Sequence, residues 1–218
     1  MSYKNIPIVN VTPIEHNLVV AWHLHDRCNF DCMYCPDKWH SLTSGTKSLD
    51  ELKRCWIEIV DKTKHRGLKY KISLTGGEVT VNQDLLPFVA WLSSEYKDQI
   101  ESIGMVTNGT ASRRLYIDLL KYLNWISFSI HSEFFNEKKF FINVLAARLS
   151  IVESNKTVHV NIMDEPWNHD RIKIYKNFLT EYNINYSVSE IDWSLKIRDV
   201  AKTNPNKNFF NFDDYTDN

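Results

Sequence analysis

At 218 residues the chain is long enough for one domain with a sizeable core, and a composition of 43% hydrophobic and 24% charged residues is ordinary for a soluble globular protein. The 26 basic and 27 acidic residues leave a formal net charge of −1, which excludes a global basic footprint for nucleic acid. No apolar run approaches membrane-span length, the first residues lack the apolar core of a signal peptide, and four cysteines are too few for a secreted disulfide framework. A cytoplasmic protein without nucleic-acid or membrane partners is expected.

In chain order, a strand fits residues 18–24 and ends just before a loop carrying Cys28, Cys32 and Cys35. Ser48 reads as an N-cap with Glu51 three positions on, the pattern of a capping box, and predicts a helix to about His65, before Gly67. The basic stretch 62–71 then falls at a helix C-terminus, where cations suit the dipole. Further strands fit 70–74, 102–106, 126–130, 157–162 and 185–191, alternating with helices over 83–96, 112–123, 136–153 and 170–181. Such alternation predicts an α/β fold with a parallel sheet, doubly wound or curled toward a barrel. Residues 1–17 read as an N-terminal extension, 18–192 as the core domain, and 193–218 as a tail. The tail is polar but carries Phe209, Phe210, Phe212 and Tyr215; it reads as an extension packed on the body or as a lid over the site.

In parallel β/α folds the site lies at the C-terminal edge of the strands. The unusual residues fall there repeatedly: the cysteine loop, then Thr75-Gly76-Gly77-Glu78, Thr107-Asn108-Gly109, Ser129 and His131, Asn161 and Met163. The cysteine spacing is C-x3-C-x2-C. Three thiolates this close suit one polynuclear centre with a corner left for another ligand. A zinc site of three cysteines with His23, His25 or His40 is the alternative, but zinc explains neither Tyr34 nor the Gly-Gly-Glu element. Cys55, inside the first helix, reads as a small apolar residue.

With Tyr34 directly before the third cysteine and Gly76-Gly77-Glu78 after the second strand, the chain resembles the radical S-adenosylmethionine (SAM) enzymes over about residues 18–192. The resemblance implies a partial (β/α)6 TIM-like barrel. It implies that Cys28, Cys32 and Cys35 bind three irons of a [4Fe–4S] cluster and that SAM chelates the fourth. It further implies reductive cleavage of SAM to a 5′-deoxyadenosyl radical that takes a hydrogen atom from a substrate, as in an oxidoreductase or lyase, and a low-potential electron donor such as flavodoxin or ferredoxin. Tyr34, Gly76, Gly77, Glu78, Asn108, Ser129 and Asn161 would contact SAM, although the family's glycine-containing pattern is not evident around Asn161. Gly76 and Gly77 also suit a tight turn needing positive φ, and Asn108 beside Gly109 also suits a turn.

Outside that set, His131 and Glu190 stand at strand ends where they would meet substrate or exchange a proton; Asp192 has a similar place. His25, Asp26 and Arg27 read as orienting the cysteine loop. With one cysteine beyond the triad, no auxiliary cluster is expected. A small-molecule substrate (a nucleoside, sugar or amino-acid derivative) is the favoured expectation. A glycyl-radical-enzyme activase and a non-catalytic zinc or cluster-binding interaction module are the alternatives.

Overall fold

The computed structural model describes residues 8–14, 17–36, 40–153, 155–165 and 167–191. Seven strands form one sheet in sequence order. β1 (Ile8–Ile14) runs antiparallel to β2 (Asn17–His23). From β2 onward all neighbours are parallel: β3 (Lys69–Thr75), β4 (Ile100–Thr107), β5 (Trp125–Ile130), β6 (Thr157–Asp164) and β7 (Asn185–Glu190). The crossovers carry α1 (Leu49–Thr63), α2 (Leu85–Glu95), α3 (Arg113–Leu119), α4 (Glu137–Leu149) and α5 (His169–Glu181). A strand order that never doubles back leaves no switch point, so successive crossovers of one hand lie on one face of the sheet. That is the barrel solution and not the doubly wound one. Among the described residues β2 and β7 do not pair, so the barrel is open: a partial (β/α)6 TIM-like barrel.

The parallel strands and the helices lie where alternation placed them, with ends shifted by at most about four residues. The difference is β1, which extends the sheet where the sequence indicated only an extension. Asp192 and the tail 193–218 lie outside the described residues.

The strands divide their residues between two environments. Leu18, Val20 and Trp22 of β2, Tyr70, Ile72 and Leu74 of β3, and Val158, Val160 and Ile162 of β6 are all buried on the helix-facing side. Trp22 stacks on Trp56 of α1 with centroids 6.1 Å apart and meets Phe88 of α2 edge-on at 5.5 Å. Tyr116 of α3 and Phe140 of α4 close on Phe128 of β5 in the same way. Each such side chain contributes about 2–3 kcal/mol by leaving water. α1 begins with the expected capping box and turns Leu52, Trp56, Ile59 and Val60 inward. Three cations of the basic stretch are paired: Lys62 with Glu58, Lys64 with Asp61, and beyond the helix Lys71 with Glu101.

The alternate residues face the concave side. There β3 and β5 present Ser73, Thr75, Ser127 and Ser129, and β6 presents His159, Asn161 and Met163. The Trp125 ring lies over Gly104; a Cβ on Gly104 would stand 1.9 Å from that ring. The polar concave face and the strand-end loops together form the site.

Candidate functional site

The cysteine loop is held from several directions, first by backbone. Leu24 N–H donates to Thr75 O at 2.8 Å, Gly77 N–H to His25 O at 2.8 Å and Glu78 N–H to Arg27 O at 2.8 Å. The β2–β3 pairing thus runs on past both strands, binding the start of the loop to Gly76-Gly77-Glu78. A Cβ on Gly77 would stand 2.3 Å from Arg27 O, and one on Gly76 2.7 Å from His25 O. The glycine at 77 is therefore required by the close approach of two main chains, and its φ is not positive. On the other side Cys28 N–H donates to Ser41 O at 2.9 Å and Ser41 N–H to Asp26 O at 2.8 Å.

Side chains complete the frame. Asn108 Nδ2 donates to Asn29 Oδ1 at 2.8 Å, and Asn29 Nδ2 to Thr110 Oγ1 at 2.9 Å. Met33 N–H donates to Glu133 Oε2 at 3.0 Å. The Tyr34 hydroxyl lies 2.6 Å from His131 Nδ1 and donates to Glu165 Oε1 at 3.0 Å.

The three cysteines open on one cavity of about 280 Å3. Tyr34, Gly76, Gly77, Glu78, Asn108, Ser129 and His131 line it with them. Of the described residues expected to contact SAM or substrate, Asn161 and Glu190 do not. Asn161 Oδ1 accepts the Ser187 and Ser189 hydroxyls of β7 at 3.0 and 2.8 Å. Glu190 is exposed at the end of β7, opposite Asp164 in register. Asn108 combines both expected roles: it lines the cavity while its Oδ1 accepts from Thr110 N–H and Oγ1, closing a turn.

Glu78 is fully buried, which pushes its carboxyl above the usual range. Its oxygens accept from Thr80 N–H (3.0 Å), Thr80 Oγ1 (2.6 Å), Thr107 Oγ1 (2.8 Å) and Asn108 N–H (2.5 Å), tying the end of β3 to the end of β4. Burial lowers His131 to about 4. Burial also raises Cys28, and Cys32 is raised well above its ordinary value by burial and then by Glu133 and Glu165. Metal binding would have to displace the thiol protons.

Glu165 was not legible as a site residue. It follows the end of β6 and is buried, with its pKa raised to about 7 by burial against the hydrogen bonds of Ser132 and Tyr34. The available signal was its place one residue past a parallel strand.

The donor set fits an iron–sulfur cube. No disulfide engages the cysteines. Among the described residues no three His, Cys, Asp or Glu side chains are arranged to hold one metal ion. A cube distributes three thiolates over three irons and takes its fourth ligand from elsewhere, so it requires no such convergence.

The model of the Radical SAM superfamily matches residues 22–157, more than half of the chain. The chain belongs to the radical SAM superfamily of enzymes. The superfamily's cofactors are a [4Fe–4S] cluster and SAM. Among curated proteins, the chain is 31% identical over 142 residues to molybdenum cofactor biosynthesis protein 1 of Drosophila melanogaster, covering 54% of this chain and 23% of the relative. It is 37% identical over 97 residues to a GTP 3′,8-cyclase of Campylobacter lari (43% and 28%). It is 33% identical over 119 residues to an S-adenosylmethionine-dependent nucleotide dehydratase of Flammeovirga pacifica (52% and 38%). The matched stretches thus span less than two fifths of these relatives. Among solved structures, Streptococcus suis SuiB bound to precursor peptide SuiA superposes with a TM-score of 0.60 at 15% identity, over 91% of this chain and 43% of that one, a likeness of fold. No helix among the described residues is long and apolar enough to cross a membrane.

Proposed function

We propose that Cys28, Cys32 and Cys35 hold a [4Fe–4S] cluster, that SAM occupies its open corner, and that the enzyme acts on a nucleotide or a related small molecule. The observation that carries this reading is the single cavity shared by the three cysteines, Gly76-Gly77-Glu78 and Ser129. When bound and reduced, the cluster supplies cleavage of SAM and a 5′-deoxyadenosyl radical able to take a substrate hydrogen atom. The chain's own part is to fix the thiols, position the ligand and exclude water.

Backbone pairing with Gly76-Gly77-Glu78 sets the loop's position. Glu78, with four donors on its carboxylate, holds the ends of β3 and β4 at the spacing the cavity needs; its contribution to SAM would come through that wall. Ser129 offers a hydroxyl and Tyr34 a ring face to the ligand. His131 is the residue best placed to touch it from β5. A nucleotide substrate is supported by the names of the relatives, GTP 3′,8-cyclase and nucleotide dehydratase. A cytoplasmic setting and a flavodoxin or ferredoxin donor are part of the same reading.

The test is anaerobic reconstitution followed by dithionite and SAM, with GTP and the other ribonucleoside triphosphates as candidate substrates. 5′-Deoxyadenosine should form, and Cys32→Ala should abolish it. Transfer of deuterium into 5′-deoxyadenosine from one labelled nucleotide would identify the substrate. Undiminished cleavage in Cys32→Ala would reject the ligand assignment.

A further inference from the structure

Glu165, Tyr34 and His131 form a hydrogen-bonded chain from a buried carboxyl group, ionised at pH 8, to the cavity. Glu165 Oε2 accepts from Ser132 N–H at 2.9 Å, from the Ser132 hydroxyl, and from Asn168 Nδ2 at 3.2 Å. Trp167 Nε1 donates to Ser132 Oγ at 2.8 Å, which directs the serine's own proton to Glu165. Glu165 Oε1 takes the Tyr34 hydroxyl at 3.0 Å. The Cys32 sulfur also interacts with the Tyr34 hydroxyl, but a carboxylate is the stronger acceptor.

A phenol has one proton. Once Tyr34 gives it to Glu165, its oxygen can only accept from His131 Nδ1, 2.6 Å away. The imidazole, neutral at pH 8 and more so for its burial, also has one proton, which must then sit on Nδ1. Nε2 is left as a bare lone pair on a ring that lines the cavity with the three cysteines. The ring plane is held as well, stacked on Tyr34 at 5.9 Å and edge-on to Phe30 at 6.3 Å.

We propose that Glu165 is a positioning residue that acts through Tyr34 to fix His131 as its Nδ1–H tautomer, so that Nε2 offers the bound SAM a hydrogen-bond acceptor. SAM carries the matching donors in its ribose hydroxyls and adenine amine. The ligand half rests on the reading of the cavity given above; the tautomer half does not.

Two variants separate a positioning role from a structural one. In Glu165→Gln the amide oxygen stays with the Ser132 and Asn168 donors, so the amide NH2 faces Tyr34. The chain then reverses: Tyr34 donates to Nδ1, and His131 carries its proton on Nε2. In Tyr34→Phe the ring is free to hold either tautomer. The experiment uses reconstituted holoprotein at pH 8 containing histidine labelled with 15N at Nδ1 alone, with the His131 signal assigned by its loss in His131→Gln. Directly detected nitrogen spectra should show His131 Nδ1 protonated in the parent, bare in Glu165→Gln and mixed in Tyr34→Phe. A bare Nδ1 in the parent overturns the inference without any variant; so does a Glu165→Gln spectrum identical to the parent's.

Equilibrium dialysis with SAM then tests the ligand half. Glu165→Gln should weaken SAM by about tenfold, one hydrogen bond's worth, with iron content unchanged. Equal SAM affinity in parent and variant would overturn the ligand half. A holoprotein that binds no SAM at all would instead reject the underlying reading of the cavity, while the tautomer result would stand or fall by itself.

Discussion

The two sides of the site are built by different means. On the β2–β4 side the cysteine loop is fixed by main-chain hydrogen bonds to Gly76-Gly77-Glu78, with glycines where two backbones meet. On the β5–β7 side the contacts are between side chains far apart in sequence: Tyr34 with His131 and Glu165, and Asn161 with Ser187 and Ser189. Backbone pairing tolerates almost no change of shape. Side-chain networks can be exchanged without moving the fold. The first side therefore suits the seat of the cluster, and the second suits the orientation of the ligands bound beside it.

Substitutions on the two sides should differ accordingly. The largest effect is expected from Gly77→Ala, whose Cβ meets the Arg27 carbonyl at 2.3 Å with only backbone to yield. A loss of about 3 kcal/mol and failure to retain iron should appear together in urea unfolding and iron analysis. A fully stable Gly77→Ala that loads normally would break the account of this side.

Acid should weaken the same side through His25, which burial holds at about 4. Because this folded value lies below the ordinary one of 6.5, the unfolded chain takes the proton first. The stability His25 contributes is complete above pH 6.5 and is lost as pH falls from there through 4, up to about 3 kcal/mol. The raised carboxyls of Glu78 and Glu165 act with the opposite sign, so the informative quantity is a difference. His25→Leu should lose less stability than the parent between pH 7 and 4.5 in urea titrations of the metal-free protein; equal losses would assign the acid sensitivity elsewhere.

Glu78→Gln places an NH2 where a buried carboxylate oxygen accepts, and should cost about 1–3 kcal/mol with SAM binding weakened. The smallest effect is expected from Asn161→Ala. It should stay within about 1 kcal/mol of the parent and keep its iron, with any change confined to the KM of a substrate. If Asn161→Ala lost as much as Gly77→Ala, the contrast between the two sides would disappear.

The same contrast decides what was legible in the sequence. Period-two apolar strands, the Ser48–Glu51 capping box and the cysteine spacing are local patterns, and each placed its element. β1 was not read; it carries Pro13, and on an edge strand one proline costs little. Gly77 does not adopt the positive φ that a tight turn would need; it serves a close approach of two main chains. On the other side, His131 drew attention by its strand end, but no spacing links it to Tyr34, 97 positions away, or links Tyr34 to Glu165, 131 away. Asn161 occupied a plausible strand position, yet its carboxamide oxygen is engaged by serines of a strand that carries no motif.

The central claim, a cluster with one corner left for SAM, is tested most directly by the iron and sulfide content of the anaerobically reconstituted protein, together with the electron resonance of its reduced form with and without SAM. About four irons with matching sulfide per chain, and a spectrum that changes on adding SAM, are predicted. One zinc per chain without sulfide, or a reduced cluster whose spectrum ignores SAM, would contradict it.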